Sequence, residues 1–249
     1  MPKVALFVTC IADQFFPDTA HATVRVLEAA GAQVVFPTQQ TCCGQPALTA
    51  GEPDAAARLA RHHLDVFAAI DEADVDAIVT PSGSCAAMVR HHYPTLLTER
   101  RADAGSVAAR TFELTQYLVD VLGVDDIGAR LDSTVTVHDA CHGLRNLGLG
   151  GGMRRLLERA GATLVEMTEP DTCCGFGGVF SIAYPEVSIR LADAKLEHAA
   201  ATSARYVVST DLACLMHLDG RRRKLGRAGQ PQPVHIADLL ASGLPVASR

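Results

Sequence analysis

The residues of this 249-residue chain best equipped for chemistry are its eight cysteines. They are Cys10, Cys42, Cys43 and Cys85, then Cys141, Cys173, Cys174 and Cys214. Thirty-one residues separate Cys10 from Cys42, and thirty-one separate Cys141 from Cys173. Each adjacent pair is followed by glycine, as TCCGQP at 41–46 and TCCGFGG at 172–178. From the pairs, 41 residues lead to Cys85 and 39 lead to Cys214. One isolated cysteine is as readily a small buried hydrophobe as a ligand. Two quartets with one spacing need another reason. In a reducing compartment disulfides are rare, and clustered cysteines bind metal or do redox work.

The elements that must position these thiols repeat along with them. EAAGAQVVFPTQQTCCG (28–44) matches ERAGATLVEMTEPDTCCG (158–175) with one residue inserted in the second. VALFVTC (4–10) matches VTVHDAC (135–141), and AIVTPSGSC (77–85) matches YVVSTDLAC (206–214). The chain is an internal duplication. In each half a strand (4–9; 134–139) leads to the first cysteine. A helix ending at Gly31 or Gly161 follows. A second strand enters the CCG loop, a long helix comes next (54–70; 185–203), and a third strand precedes the last cysteine. This alternation predicts an α/β fold with two Rossmann-like parallel-sheet halves related by a pseudo-twofold. The halves are expected at 1–130 and 131–249. Residues 104–132 read as helix and linker, with Leu114, Tyr117, Leu118, Val121 and Leu122 on one face. Ligands of such sheets sit outside the carboxyl ends of the strands. Each half is therefore expected to gather its own four sulfurs.

Composition narrows the function classes. Hydrophobic residues make up 48% and charged residues 20%, enough for a core without disulfides. A net charge of −6 argues against a general nucleic-acid or anionic-membrane binder. The run VALFV is too short for a signal-peptide core. No apolar run approaches the roughly 18 residues that span a bilayer. These features predict a soluble cytoplasmic protein. No flavin or nicotinamide fingerprint is evident, so any initial two-electron chemistry falls to a partner.

The glycines say how the pair is presented. Two adjacent side chains reach one inorganic centre only if the backbone bends sharply, which Gly44 and Gly175 permit through positive φ. The N–H groups of Gly177 and Gly178 are either donors to sulfide or thiolate, or part of an ordinary turn. Structural zinc normally uses CxxC knuckles, and this chain has none. Adjacent cysteines plus two remote ones suit a larger iron–sulfur centre. Tetrathiolate zinc is the alternative.

The CX31CCG pattern with a distant third element, present twice, resembles the cysteine-rich CCG domain family. That family includes the CCG-bearing component of heterodisulfide reductase and the iron–sulfur subunits of anaerobic glycerol-3-phosphate dehydrogenase and glycolate oxidase. PSGSCAAMVRHHYP (81–94), HDACHGLRNLG (138–148), CCGFGGVFSIAYPEVS (173–188) and DLACLMHLDG (211–220) resemble one branch, the lactate-utilisation protein A family of iron–sulfur oxidoreductases. The resemblance spans residues 3–243. It implies one component of a three-protein system that oxidises L-lactate, a small 2-hydroxy acid, to pyruvate. Electrons would pass through iron–sulfur clusters, up to one 4Fe–4S type per half, held by the two cysteine quartets. The implied partners are a ferredoxin-type iron–sulfur subunit and a third small subunit. The fuller motif ends in CxxC, and here Ser82 and Asp211 stand where its first cysteine would be. Each half then holds an ordinary four-thiolate cluster, or uses Ser82 or Asp211 as an extra ligand, or one half holds none. Asp211, an anion at neutral pH, is the better candidate ligand of the two, but it reads first as a helix N-cap. Rival functions are a thiol or heterodisulfide reductase-type subunit and a zinc-stabilised interaction module.

His138 and His142 flank Cys141, with Asp139 between them. They are candidates for a proton donor or a thiolate hydrogen-bond donor, or are packed at a strand end. Arg145 is a candidate for binding an organic carboxylate or balancing cluster charge, or makes a surface salt bridge. His91 and His92 diverge by about 100° on a helix and do not suit one metal. The same holds for His62 and His63. LGLGGGM (147–153) reads as a flexible loop and RRRK (221–224) as a solvated helix end.

Overall fold

A computed structural model of the chain describes residues 1–70, 74–226 and 229–245. Short apolar runs form two four-stranded sheets. The first holds β1 (Lys3–Leu6), β2 (Gln33–Val35), β3 (Ala77–Thr80) and β4 (Thr111–Glu113) in the order β2-β1-β3-β4. The second holds β5 (Thr134–Val137), β6 (Thr163–Leu164), β7 (Tyr206–Ser209) and β8 (Gln232–His235) in the order β6-β5-β7-β8. Every strand pair is parallel. Val4, Leu6, Ile78, Val79, Val135, Val137, Val207 and Val208 are buried, as expected where helices cover both faces. The α/β duplication and its two Rossmann-like halves are thus present.

The helices of the first half are α1 (Cys10–Phe15), α2 (Pro17–Ala29), α3 (Gln45–Thr49), α4 (Pro53–Phe67), α5 (Gly83–Ala87), α6 (Tyr93–Leu96), α7 (Arg101–Ala109) and α8 (Leu114–Gln116). Those of the second are α9 (Cys141–Leu147), α10 (Gly151–Arg159), α11 (Val179–Ala183), α12 (Pro185–Ala201), α13 (Leu212–Leu225) and α14 (Ile236–Ser242). None of the described helices is long and apolar enough to cross a membrane.

The structure corrects three expectations. Residues 104–132 are not simply helix and linker, because β4 lies among them; β8 is its counterpart. Both are short, and β8 contains Pro233, so neither alternates visibly. Val121 is 48% exposed rather than on the buried face. A π-helical turn over Tyr117–Val121 widens the helix by a residue per turn and rotates it outward. Residues 147–153 are not a flexible loop: α9 ends at Leu147, Gly148 caps it at φ +70°, and α10 begins at Gly151.

The halves interlock. One hydrophobic cluster joins Val4, Leu6 and Val79 to Val135, Val137 and Val208. Helix α14 packs on α2, where Thr19 Oγ1 donates to Asp238 Oδ2 at 2.8 Å. In return α8 packs on α10, with Gly152 against the Thr115 carbonyl and Val119. Near the pseudo-twofold, α5 meets α9 so closely that a Cβ on Gly83 would lie 3.0 Å from the Gly143 Cα.

Each fourth strand ends in the residue that caps the next helix. Glu113 Oε2 accepts from Thr115 N at 2.7 Å, Thr115 Oγ1 at 2.5 Å and Gln116 N at 3.2 Å. His235 Nδ1 accepts from Ala237 N at 3.1 Å. Burial pushes the Glu113 carboxyl up from 4.5 to about 7, outweighing those hydrogen bonds. An acid raised on folding binds more protons in the native state. Its contribution is complete below about pH 4.5 and is lost as pH rises through 7. At pH 7 the loss amounts to about 3 kcal/mol at about 1.4 kcal/mol per unit. The difference in urea-unfolding free energy between the wild type and Glu113→Gln is expected to change by about this much between pH 4.5 and 7. A pH-independent difference would refute the assignment.

Candidate metal centre

Four of the eight thiols sit in the first turn of a helix. Cys10 opens α1 and Cys141 opens α9. Cys85 and Cys214 lie three residues beyond the N-caps Ser82 and Asp211 of α5 and α13. The adjacent pairs come from the CCG loops. Gly44 and Gly175 adopt φ +87° and +93°, which turns their N–H groups back onto Cys42 Sγ at 3.4 Å and Cys173 Sγ at 3.3 Å. The backbone N–H groups of Ile11, His142 and Phe176 act likewise on Cys10, Cys141 and Cys174.

In the first half Cys10 Sγ lies 3.5 Å from Cys42 Sγ, and Cys43 Sγ lies 3.4 Å from Cys85 Sγ. Cys42 also contacts Cys43, so these sulfurs form one chain. All eight cysteines are free thiols. Cys10 donates to Cys42, and this bond with the Cys43 contact holds Cys42 down to about 3. The same bonds, with burial, push Cys10 and Cys43 up. These contacts favour the thiolate at Cys42, and a metal would displace the neighbours' protons. In the second half Cys174 contacts Cys173 and Cys214. Hydrogen bonding to Cys174 pushes Cys173 up, and burial pushes Cys141 up.

Seven of the eight cysteines share one pocket; Cys42 instead lines a shallow one beside Cys10. One cavity of about 240 Å³ lies between the halves. Cys10, Cys43 and Cys85 reach it from one side, and Cys141, Cys173, Cys174 and Cys214 from the other. The α5–α9 contact and the interlocked helices turn the carboxyl ends of both sheets onto this common space. Gly177 and Gly178 line it at φ +52° and +62°.

Ser82 and Asp211 also line it, as helix caps. Ser82 Oγ accepts from Cys85 N at 3.3 Å. Asp211 Oδ1 accepts from Ala213 N at 3.1 Å, and its Oδ2 accepts from Ser84 N at 3.0 Å across the two halves. One carboxylate therefore caps helices of both halves.

The other expected residues divide. His142 lines the cavity, its Nδ1 3.7 Å from Cys141 Sγ and its Nε2 3.3 Å from Gln45 Nε2 of the other half. His138 is 1% exposed, and among the described residues neither ring nitrogen makes a well-formed hydrogen bond, although the Pro170 carbonyl acts on the ring. Burial, then the charge of Lys195, lowers it to about 4. Asp139 is held bidentately by Arg154 at 2.9 and 2.8 Å, and Arg154 also pairs with Glu166. Arg145 is exposed on α9, with no ion-pair partner among the described residues; its charge acts on Cys141 and Cys173. His91 Nε2 lies 2.9 Å from the Asn146 carbonyl and so joins the halves. Three of the four cations of the basic run at 221–224 are paired within the fold: Arg221 with Asp193, and Arg222 and Arg223 with Asp219.

Sequence reasoning missed a difference between the halves. His63 and Lys195 each lie ten residues after the proline that opens α4 or α12, and both are buried. His63 sits in a ring cluster, 4.4 Å from Phe67, 4.6 Å from Phe7 and 5.3 Å from Tyr93. Lys195 Nζ donates to the Glu169 carbonyl at 2.5 Å. Phe7 and His138 likewise correspond, each three residues before the first cysteine of its half. Comparing the halves residue by residue would have exposed both substitutions.

A family model described as a cysteine-rich domain, CCG, matches residues 4–90 and again 135–219. The protein named Lactate utilization protein A from Exiguobacterium sp. is 43% identical over 249 residues, 98% of this chain and 99% of its own length. Its namesake from Geobacillus kaustophilus is 43% identical over 243 residues, 96% of this chain and 98% of its own. Another, from Bacillus cytotoxicus, is 41% identical over 244 residues, covering 96% and 99%.

Proposed function

Since the chain belongs to the lactate utilization protein A family and carries the cysteine-rich CCG domain twice, we propose that it is an iron–sulfur electron-carrying component of a cytoplasmic system that oxidises L-lactate to pyruvate. One observation carries this beyond the family: the cysteines of both halves surround a cavity rather than close on a point. Four sulfurs bound to a single zinc ion fill their own site. A space of about 240 Å³ between two sets of thiols suits polynuclear centres instead.

The residues fit such a group. Cys10, Cys42, Cys43 and Cys85 would hold one centre, and Cys141, Cys173, Cys174 and Cys214 the other. When bound, an iron–sulfur centre supplies single-electron transfer. The chain's own residues do the rest. Ser82 and Asp211 fix the helices that present Cys85 and Cys214. The Gly44 and Gly175 N–H groups stabilise negative charge on Cys42 and Cys173. The His142 ring, beside Cys141 Sγ, is placed to hold or move a proton there. Lactate gives up two electrons and two protons on becoming pyruvate. A partner performs that step, and this chain passes the electrons singly, alongside a ferredoxin-type subunit and a third small subunit.

Zinc is the second reading. Sulfurs at about 2.3 Å from a tetrahedral zinc lie about 3.8 Å apart, close to the 3.4 and 3.5 Å separations of the first quartet. Anaerobic purification, with iron, acid-labile sulfide and zinc assayed on one sample, separates the two. About four irons and four sulfides per occupied half are expected. Stoichiometric zinc without sulfide, persisting through iron–sulfur reconstitution, would overturn the proposal.

A further inference from the structure

We infer that His138 is a fifth ligand of the second half's centre, joining Cys141, Cys173, Cys174 and Cys214, so that the two duplicated halves hold centres with different donor sets. This rests on the iron–sulfur reading of the quartets. A ring nitrogen of His138, Cys174 Sγ and Cys214 Sγ all lie within 4.8 Å of one another. Three donors bound to one metal at about 2.0–2.3 Å lie about 3.5–4.0 Å apart. The group is therefore within about 1 Å of sharing an ion. The ring is buried, and among the described residues neither nitrogen makes a well-formed hydrogen bond, the Pro170 carbonyl being its one nearby acceptor. Leaving such a polar atom without a strong partner is unfavourable, and a bound metal relieves it.

The first half has no equivalent. Phe7 occupies the matching position and packs on His63 and Phe67. His63 is itself enclosed by rings and forms no such group with cysteine among the described residues. Replacing thiolate by neutral imidazole raises the potential of an iron–sulfur centre, and an added imidazole leaves four thiolates in place. The distinguishing mark is therefore bound nitrogen on one centre and none on the other.

The test uses the full chain, anaerobically reconstituted, with and without 15N-histidine. Iron and sulfide are measured first, and pulsed EPR follows in the paramagnetic redox state. The expected result is a strong nitrogen coupling on one of two centres that changes with the label. It should vanish in His138→Phe, which installs the first half's own residue, while the other centre's signal is unchanged. Iron and sulfide present without histidine coupling in the wild type would overturn the inference alone. So would the same coupling surviving in His138→Phe. Absence of iron and sulfide would overturn both this inference and the reading beneath it. Should His138→Phe fail to fold, the labelled wild type still decides.

Discussion

Cys43→Ser and Cys174→Ser are each expected to lower the iron and sulfide of the reconstituted chain by about half, and the double variant to lower them nearly to zero. These cysteines are the buried members of the two adjacent pairs, at 1% and 3% exposure. Each touches two other sulfurs of its own quartet: Cys43 meets Cys42 and Cys85, and Cys174 meets Cys173 and Cys214. Serine is nearly isosteric but does not ionise as a thiol does, so it is a poor ligand near neutral pH. The hydrophobic cluster that joins the sheets contains no cysteine, but Cys43 and Cys174 each belong to a smaller core cluster of their own half, so the metal-free variants should keep the fold with some loss of stability. Circular dichroism and a urea melt of the metal-free variants check this. Complete loss of iron from either single variant would mean that the common cavity holds one centre shared by both halves. Unchanged iron in either would remove that quartet from the ligand set.

The second large effect concerns the backbone. Gly175→Ala is expected to destabilise the metal-free protein by about 3 kcal/mol or more. A left-handed conformation costs a residue with a Cβ about 1–2 kcal/mol, and φ here is +93°. The added Cβ would also lie 2.4 Å from the Ser188 carbonyl oxygen and 3.2 Å from the Leu191 Cβ, both on α12. Overpacking of this kind costs about 1–3 kcal/mol more. Gly31→Ala is the control. Its φ is +85°, and nothing lies within 4 Å of a Cβ there, so only the conformational cost of about 1 kcal/mol should appear. Urea unfolding of the two variants under reducing conditions checks the contrast. Equal destabilisation would show that α12 moves aside freely. The displaced loop should also weaken the Gly175 N–H contact to Cys173, so iron occupancy of the second half should fall with stability.

The architecture was legible from the sequence because the same text occurs twice. Strands β1, β3, β5 and β7 are apolar runs that end just before cysteine elements, and α2, α4, α10 and α12 have clear starts or glycine ends. Strands β4 and β8 were not legible, since three or four residues ending in a buried cap carry no alternation. What could have revealed them is the second copy itself: RTFELTQYLV and PQPVHIADLL each place a buried cap between a short strand and a helix. The cysteine sets were legible from spacing alone. Their meeting in one cavity was not, because it depends on how the halves dock. That docking is decided by α14 on α2, α8 on α10 and glycine against glycine at Gly83 and Gly143. Asp211 could be read as a cap, but not its reach to Ser84 N of the other half.

The reciprocal packing of α14 on α2 and α8 on α10 is the pattern of an isologous dimer interface, in which one surface patch meets its own copy. Two separate copies of one half would be bound by that symmetry: every substitution would appear at both sites at once. Joining them in a single polypeptide lifts the constraint. Phe7 opposite His138, and His63 opposite Lys195, are asymmetries that a true homodimer could not encode. A symmetric pair of sites has no preferred direction between its members. Covalent fusion gives this protein the means to make its two sites unequal while keeping the scaffold that holds them face to face.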